Sequence, residues 1–219
     1  MGRVDDSERV GWWCGIASSV LILAGFFAID EGGSEGPDAP ISILVGEVVN
    51  NRDRIVTGSF VGMLGAMLVV GLAAGLRIRL ARAGPRGEAL GLVAHSFGLV
   101  MTVGGLAFGA VRLASISSKD ADVLAAAIRP LTLLTEHAPD ILFWGALGVV
   151  ATMALGSFAV RLLPRAFGWV GMILVIGTVA LMPTDHGGVG LMLFPWIIVA
   201  CVFLIRGADA KVTTETRMP

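Results

Sequence analysis

Six stretches of this chain run apolar from end to end, with no Asp, Glu, Lys or Arg in their interiors. They are Gly11 to Ile29, Ile55 to Leu76, Ala89 to Val111, Ile141 to Val160, Pro164 to Met182 and Gly187 to Ile205. Each reaches the ~18 residues expected of a membrane-spanning helix and at ~1.5 Å per residue is long enough for ~30 Å of hydrocarbon. Lipid offers no partner for an open backbone, and the runs lack the strict alternation of a barrel strand, so they must be helices. Only 15% of the residues are charged and 55% are hydrophobic, whereas soluble domains run near a quarter charged. The chain therefore reads as an all-α polytopic membrane protein. The expected layout is an N-terminus over 1–10, one six-helix transmembrane bundle over 11–205 and a tail over 206–219.

Basic residues set the expected orientation. Arg3, Arg9, Arg77, Arg79, Arg82, Arg86, Arg161, Arg165, Arg206, Lys211 and Arg217 fall at one set of span ends. Arg52, Arg54, Arg112, Lys119 and Arg129 fall at the other. The richer set belongs in the cytoplasm, which places both termini there. Acids such as Asp30, Glu47, Asp53, Asp140 and Asp185 gather on the outer side. Met1 to Val10 mixes acids with bases, and no small-residue cleavage pattern follows the first run, so that run is expected to be retained.

Two outer connections carry apolar stripes. Ile41, Leu44, Val45, Val48 and Val49 recur at helical spacing, as do Val123, Leu124, Ala127, Ile128 and Leu131. Each predicts a short amphipathic helix capping the bundle or lying on the outer membrane surface. The second starts after a capping-box pattern, Ser117-Ser118-Lys119-Asp120, and is expected to bend or end at Pro130. Gly58-x-x-x-Gly62 and Gly71-x-x-x-Gly75 in the second span, with Gly105-x-x-x-Gly109 in the third, predict close packing of those two helices. Trp12, Trp13, Trp144 and Trp169 fall at span ends and read as interfacial anchors. Cys14 and Cys201 are isolated and read as small apolar residues.

Ionisable groups are nearly absent from the spans, which removes the usual equipment of proton relays, ion-coupled carriers and voltage sensors. His95, two turns into the third span beside Ser96, is the exception. It reads either as a site or as a histidine bonded to a nearby carbonyl or serine. A second candidate is Met192-Leu193-Phe194-Pro195-Trp196, where Pro195 is expected to free the Leu191 carbonyl and kink the last span near its middle. Met192, Phe194 and Trp196 beside that kink suit an apolar or lipid-like ligand. A third is the outer set Glu136, His137 and Asp140 before span four with Asp185 and His186 between spans five and six. Were the two turns to meet, these groups could hold a divalent metal ion or form an acid/base pair.

Leu163-Pro164-Arg165-Ala166-Phe167-Gly168-Trp169-Val170-Gly171, a basic turn leading into a Gly-Trp helix start, resembles a group of uncharacterised bacterial six-helix membrane proteins, as does Asn51-Arg52 opening span two. The resemblance implies a six-helix plan and carries no catalytic residue with it. Many Arg, little Lys and abundant Ala, Gly and Val suit a bacterial source, and hence the inner membrane. The function expected is a non-enzymatic structural or accessory subunit that binds another membrane protein, lipid or a second copy of itself. A carrier for a small neutral or lipid-like solute comes second, and a metal-dependent enzyme at the outer face third. No nucleic-acid partner is expected.

Overall fold

The computed structural model describes residues 6–30, 39–117, 121–182 and 189–215. Among the described residues all regular structure is helical. The helices are α1 (Asp6–Asp30), α2 (Ile41–Asn50), α3 (Arg52–Ala81), α4 (Pro85–Ser115), α5 (Ala121–Ala159), α6 (Arg165–Leu181) and α7 (Leu193–Glu215). A 3-10 turn, Val189–Met192, precedes α7. Four helices are long and apolar enough to cross a membrane: α1, α3, α4 and α5, with apolar stretches of 24, 30, 31 and 37 residues. At ~1.5 Å per residue each exceeds ~30 Å. The other two long apolar runs of the sequence form shorter helical segments, Arg165–Leu181 and Gly190–Arg206.

Small residues set how the helices meet. A Cβ added at Gly11 would lie 2.7 Å from the Gly75 Cα, and one at Gly25 would lie 2.7 Å from the Gly58 carbonyl oxygen. Early α1 therefore faces late α3, an antiparallel pair in near backbone contact. Next, Gly98 of α4 faces Ala73 of α3, and Gly105 faces Ala66. On the far side of α4, Gly104 abuts the Leu142 backbone of α5, while Gly145 of α5 abuts the backbone of Met101. α7 packs on both α1 and α5, with Cys201 against Gly15. The ring of helices closes around a buried core that includes Leu72, Leu76, Met101, Phe143 and Phe194.

Tight turns make the antiparallel path possible. Gly84 takes φ +92° at the start of α4, a value suited to glycine, and Pro85 follows at the first helical position, where its missing N–H is not needed. α2 and α3 are separated by Asn51 alone, whose backbone N–H and side-chain Nδ2 both donate to the Glu47 carbonyl.

The structure departs from the sequence reading at several points. The α3 glycines serve mainly the contact with α1 rather than that with α4, because α1 carries its own small residues, Gly11, Gly15 and Gly25, in the matching phase. The second outer stripe and span four are a single helix, with Pro130 and Pro139 inside α5. Pro130 is exposed and Pro139 half-buried. Thr132 and Thr135 donate to the Ile128 and Leu131 carbonyls in the same stretch. The two stripes meet each other: Leu44 of α2 is buried with Leu124 and Ile128 of α5, and Val45 and Val48 pack alongside. Trp12, expected at an interface, is 1% exposed in the core, whereas Trp13, Trp144 and Trp169 are exposed. Pro195 sits in the first turn of α7 rather than mid-helix, since the residues before it wind as a 3-10 turn. Proline costs least there. The Ser118–Asp120 part of the capping box lies outside the described residues, and Ser117 donates to Ala114 at the end of α4.

Candidate ligand-binding cleft

Where the C-terminal part of α1, the N-terminal part of α3 and the C-terminal part of α4 come together, five glycines leave space. Gly25, Gly58, Gly62, Gly105 and Gly109 share this place with Phe26, Ser59, Met63 and Phe108, and Leu142 of α5 forms the floor. The cavity between them is about 10 Å³, room for about one water molecule, and its wall is almost wholly apolar. Most of these glycines are already covered. A Cβ at Gly58 would lie 2.6 Å from Ile29 Cγ1, one at Gly105 2.6 Å from the Ala66 Cβ, and one at Gly109 2.3 Å from Met63 Cγ. Gly62 differs, because a Cβ there would meet nothing within 4 Å.

Phe26 and Phe108 stack across the cleft with ring centroids 5.0 Å apart and planes 9° apart. Phe143 follows at 5.7 Å from Phe26, and Phe194 at 6.4 Å from Phe143. A row of four rings thus links the cleft to the start of α7. At the C-terminal end of α4 the Arg112 guanidinium lies over Phe108, 5.6 Å from its centroid.

The polar group of the cleft is Ser59, 2% exposed, whose Oγ has no hydrogen-bond partner. Several other hydroxyls of the bundle turn back onto their own helix, although the buried Ser19 Oγ, like that of Ser59, has no partner. Ser18 donates to Gly15, Thr102 to Gly98, Thr152 to Gly148 and Ser157 to Met153, at 2.7 to 3.0 Å. That local bond is the usual resting place of a helical hydroxyl. Ser59 does not make it, and a buried polar group without a partner is costly.

The chain matches no family model, no curated protein and no solved structure.

The residues singled out in the sequence are dispersed. Phe194 is fully buried and Trp196 is 6% exposed, its ring against Gly171 of α6 with Nε1 lacking an acceptor. Met192 and Pro195 face outward on the same segment. His95 is half-buried, and its Nδ1 has no partner. Ser96 beside it donates instead to the Leu92 carbonyl. Of the outer set, His137 Nδ1 lies 3.6 Å from Asp140 Oδ2 on α5, both side chains well exposed. Asp185, His186 and the Glu136 side chain lie outside the described residues. Among the described residues no three His, Cys, Asp or Glu side chains are grouped as metal ligands would be.

A charged cluster at the opposite end of the bundle is absent from the sequence reading. Glu8, at the start of α1, is fully buried, with Arg82 Nη1 2.5 Å from Oε1 and Arg79 Nη1 3.6 Å from Oε2. Its signal was present in the phase of α1: Glu8 stands one turn before Gly11 on the face that meets α3.

Proposed function

We infer that this chain is a six-span protein of a bacterial inner membrane, with both termini in the cytoplasm, and that it acts without catalysis as an accessory protein that binds lipid in the plane of the bilayer. Four helices supply crossings by length, and the α6–α7 hairpin supplies two more. Both segments of that hairpin are apolar, and α6 turns Trp169, Ile173 and Ile176 outward. The basic ends of α1, α3 and α6 then face inward. The observation that carries lipid binding is Gly62. A Cβ there would meet nothing within 4 Å, whereas those at Gly25, Gly58, Gly105 and Gly109 would run into a neighbouring helix, so this face of α3 stays open beside Phe26, Met63 and Phe108.

The test is native mass spectrometry after extraction in mild detergent. The wild-type protein is expected to retain lipid adducts, and Gly62→Leu, which fills the space, to lose them while extracting equally well. A monodisperse protein free of lipid and of any partner contradicts the reading.

A further inference from the structure

We propose that Arg86, Arg161 and Arg165 together hold the phosphate of an anionic phospholipid whose chains lie on the outward face of α5, between α4 and α6. This rests on the membrane residence inferred above and goes beyond it, because the site lies at the other end of the bundle from Gly62 and its headgroup chemistry is named.

Three observations carry the proposal. The first is convergence. Along the α4–α5 pair Gly104 meets Leu142, Gly145 meets Met101 and Gly148 meets the Phe97 ring, and the same antiparallel register carried to the start of α4 sets Arg86 level with Val160. Arg86 also stands about three and five turns before Phe97 and Gly104, on the stripe of α4 that meets α5. Along the α5–α6 pair Gly168 meets the Phe158 ring and Gly171 meets Ala154, which sets Arg165 level with Arg161. Three exposed arginines thus gather at the end of α5.

The second is that these charges are unspent. Arg79 and Arg82 at the same end are engaged by the buried Glu8, whereas Arg86, Arg161 and Arg165 have no ion pair or hydrogen bond with any described residue. Glu88, the next acid along α4, is two residues from Arg86 and so on the opposite side of the helix. Arg161 moreover takes φ 56°, alone in positive φ among the described residues other than glycine. Leu162 and Leu163 are buried and pin the turn, so the chain reverses at position 161, where a helix end usually puts glycine. An arginine there accepts strain that glycine would avoid, and what it adds is a charged side chain.

The third is the surface alongside. Trp144 and Leu155 on the outward face of α5 are exposed, with Phe97 of α4 on one side and Trp169 of α6 on the other, its ring 5.2 Å from that of Phe158. Trp169 stands one turn past Arg165, at the headgroup level where aromatic rings collect. A lipid with its phosphate on the arginines lays its chains along this apolar strip. The cytoplasmic leaflet is anionic, and each arginine near it is worth roughly fivefold in affinity.

The experiment follows the melting temperature of the full-length protein in mild detergent as a ligand is added, since a ligand of the folded state raises it. Dioleoyl phosphatidylglycerol is compared with dioleoyl phosphatidylcholine and with inorganic phosphate. The wild type is expected to respond to phosphatidylglycerol and hardly at all to the other two. Arg161→Gly with Arg165→Gln should raise the phosphatidylglycerol concentration needed for half the shift roughly 25-fold, fivefold for each charge. Glycine suits the backbone at position 161, so this variant should melt no lower than the wild type before lipid is added, and a lost response is then not a lost fold. Arg77→Gln with Arg206→Gln removes two exposed charges from the same end and should leave the response nearly unchanged. Gly62→Leu should respond as the wild type does, which separates this site from the open face of α3.

An equal response to phosphatidylcholine overturns the proposal. So does a response to inorganic phosphate that matches phosphatidylglycerol, because the site is then one for a free ion. Equal loss in the two arginine pairs overturns it as well, since a diffuse basic surface then suffices. Failure of the protein to float with phosphatidylglycerol vesicles strikes at the membrane residence beneath it and takes the proposal with it.

Discussion

Gly104→Leu is expected to stop the bundle from assembling. The new Cβ would stand 2.4 Å from the Leu142 nitrogen and 2.8 Å from both the Leu142 Cα and the Ile141 carbonyl carbon. All three are backbone atoms of α5, so no rotamer change relieves the clash and the two helices must separate. Overpacking typically costs ~1–3 kcal/mol where side chains can yield, and the upper end or beyond applies when backbone opposes backbone. No hydrophobic force draws helices back together in lipid, since their association depends on the close packing that this change removes. Thermal unfolding in detergent and the yield of monodisperse protein measure the effect. Gly62→Leu, about one turn away along the neighbouring helix and facing open space, is the paired control and should extract and melt as the wild type does. A Gly104→Leu protein that melts with the wild type would mean that α4 and α5 do not meet as described.

The double change Arg79→Ala with Arg82→Ala carries the second large effect. Glu8 has no exposed surface, while the two arginine side chains keep 14% and 39% of theirs. Removing the arginines leaves a buried carboxylate without either guanidinium group, whereas removing Glu8 leaves two cations that can turn to water. Breaking a buried pair from the side that strands the charge costs ~3–5 kcal/mol. The double variant should therefore be destabilised by about that much, and Glu8→Ala added to it should restore a large part. Unfolding in a detergent titration gives both numbers. If the triple variant is no more stable than the double, Glu8 does not depend on these partners.

Much of the fold was legible because lipid narrows the choices. Long charge-free runs had to be helices, and the antiparallel succession followed from short basic turns such as Arg82–Gly84. The helix faces were harder to read. The glycines of α3 are visible in the sequence, but which neighbour they serve depends on α1, where Glu8, Gly11, Gly15, Ser18, Ile22 and Gly25 keep one phase. Read together, that series would also have flagged Glu8 as buried rather than as part of a solvated leader. The prolines misled in both directions. Pro130 was expected to bend or end its helix, yet α5 runs on through it and through Pro139, because a helix packed along its length tolerates a lost hydrogen bond. Pro195 was taken as a mid-helix break, yet it falls in a first turn, because the residues before it form a 3-10 turn.

The cleft itself was not legible. Its lining is drawn from four helices, and none of its residues is unusual in its own segment. Ser59 gains meaning only from the bond it fails to make, and Gly62 only from the Cβ position it leaves open. Phe194, by contrast, was picked out by its place near Pro195, and the structure joins it to the cleft through the row of aromatic rings.

The proposed six crossings with cytoplasmic ends would put the α3–α4 turn inside and the α6–α7 connection outside. Cysteine labelling in a Cys14→Ser, Cys201→Ser background tests this most directly, with a membrane-impermeant maleimide applied to intact cells. Met182→Cys is expected to react at once, and Ala83→Cys only after the cells are permeabilised. Reaction of both positions from the same side would contradict the six-span arrangement.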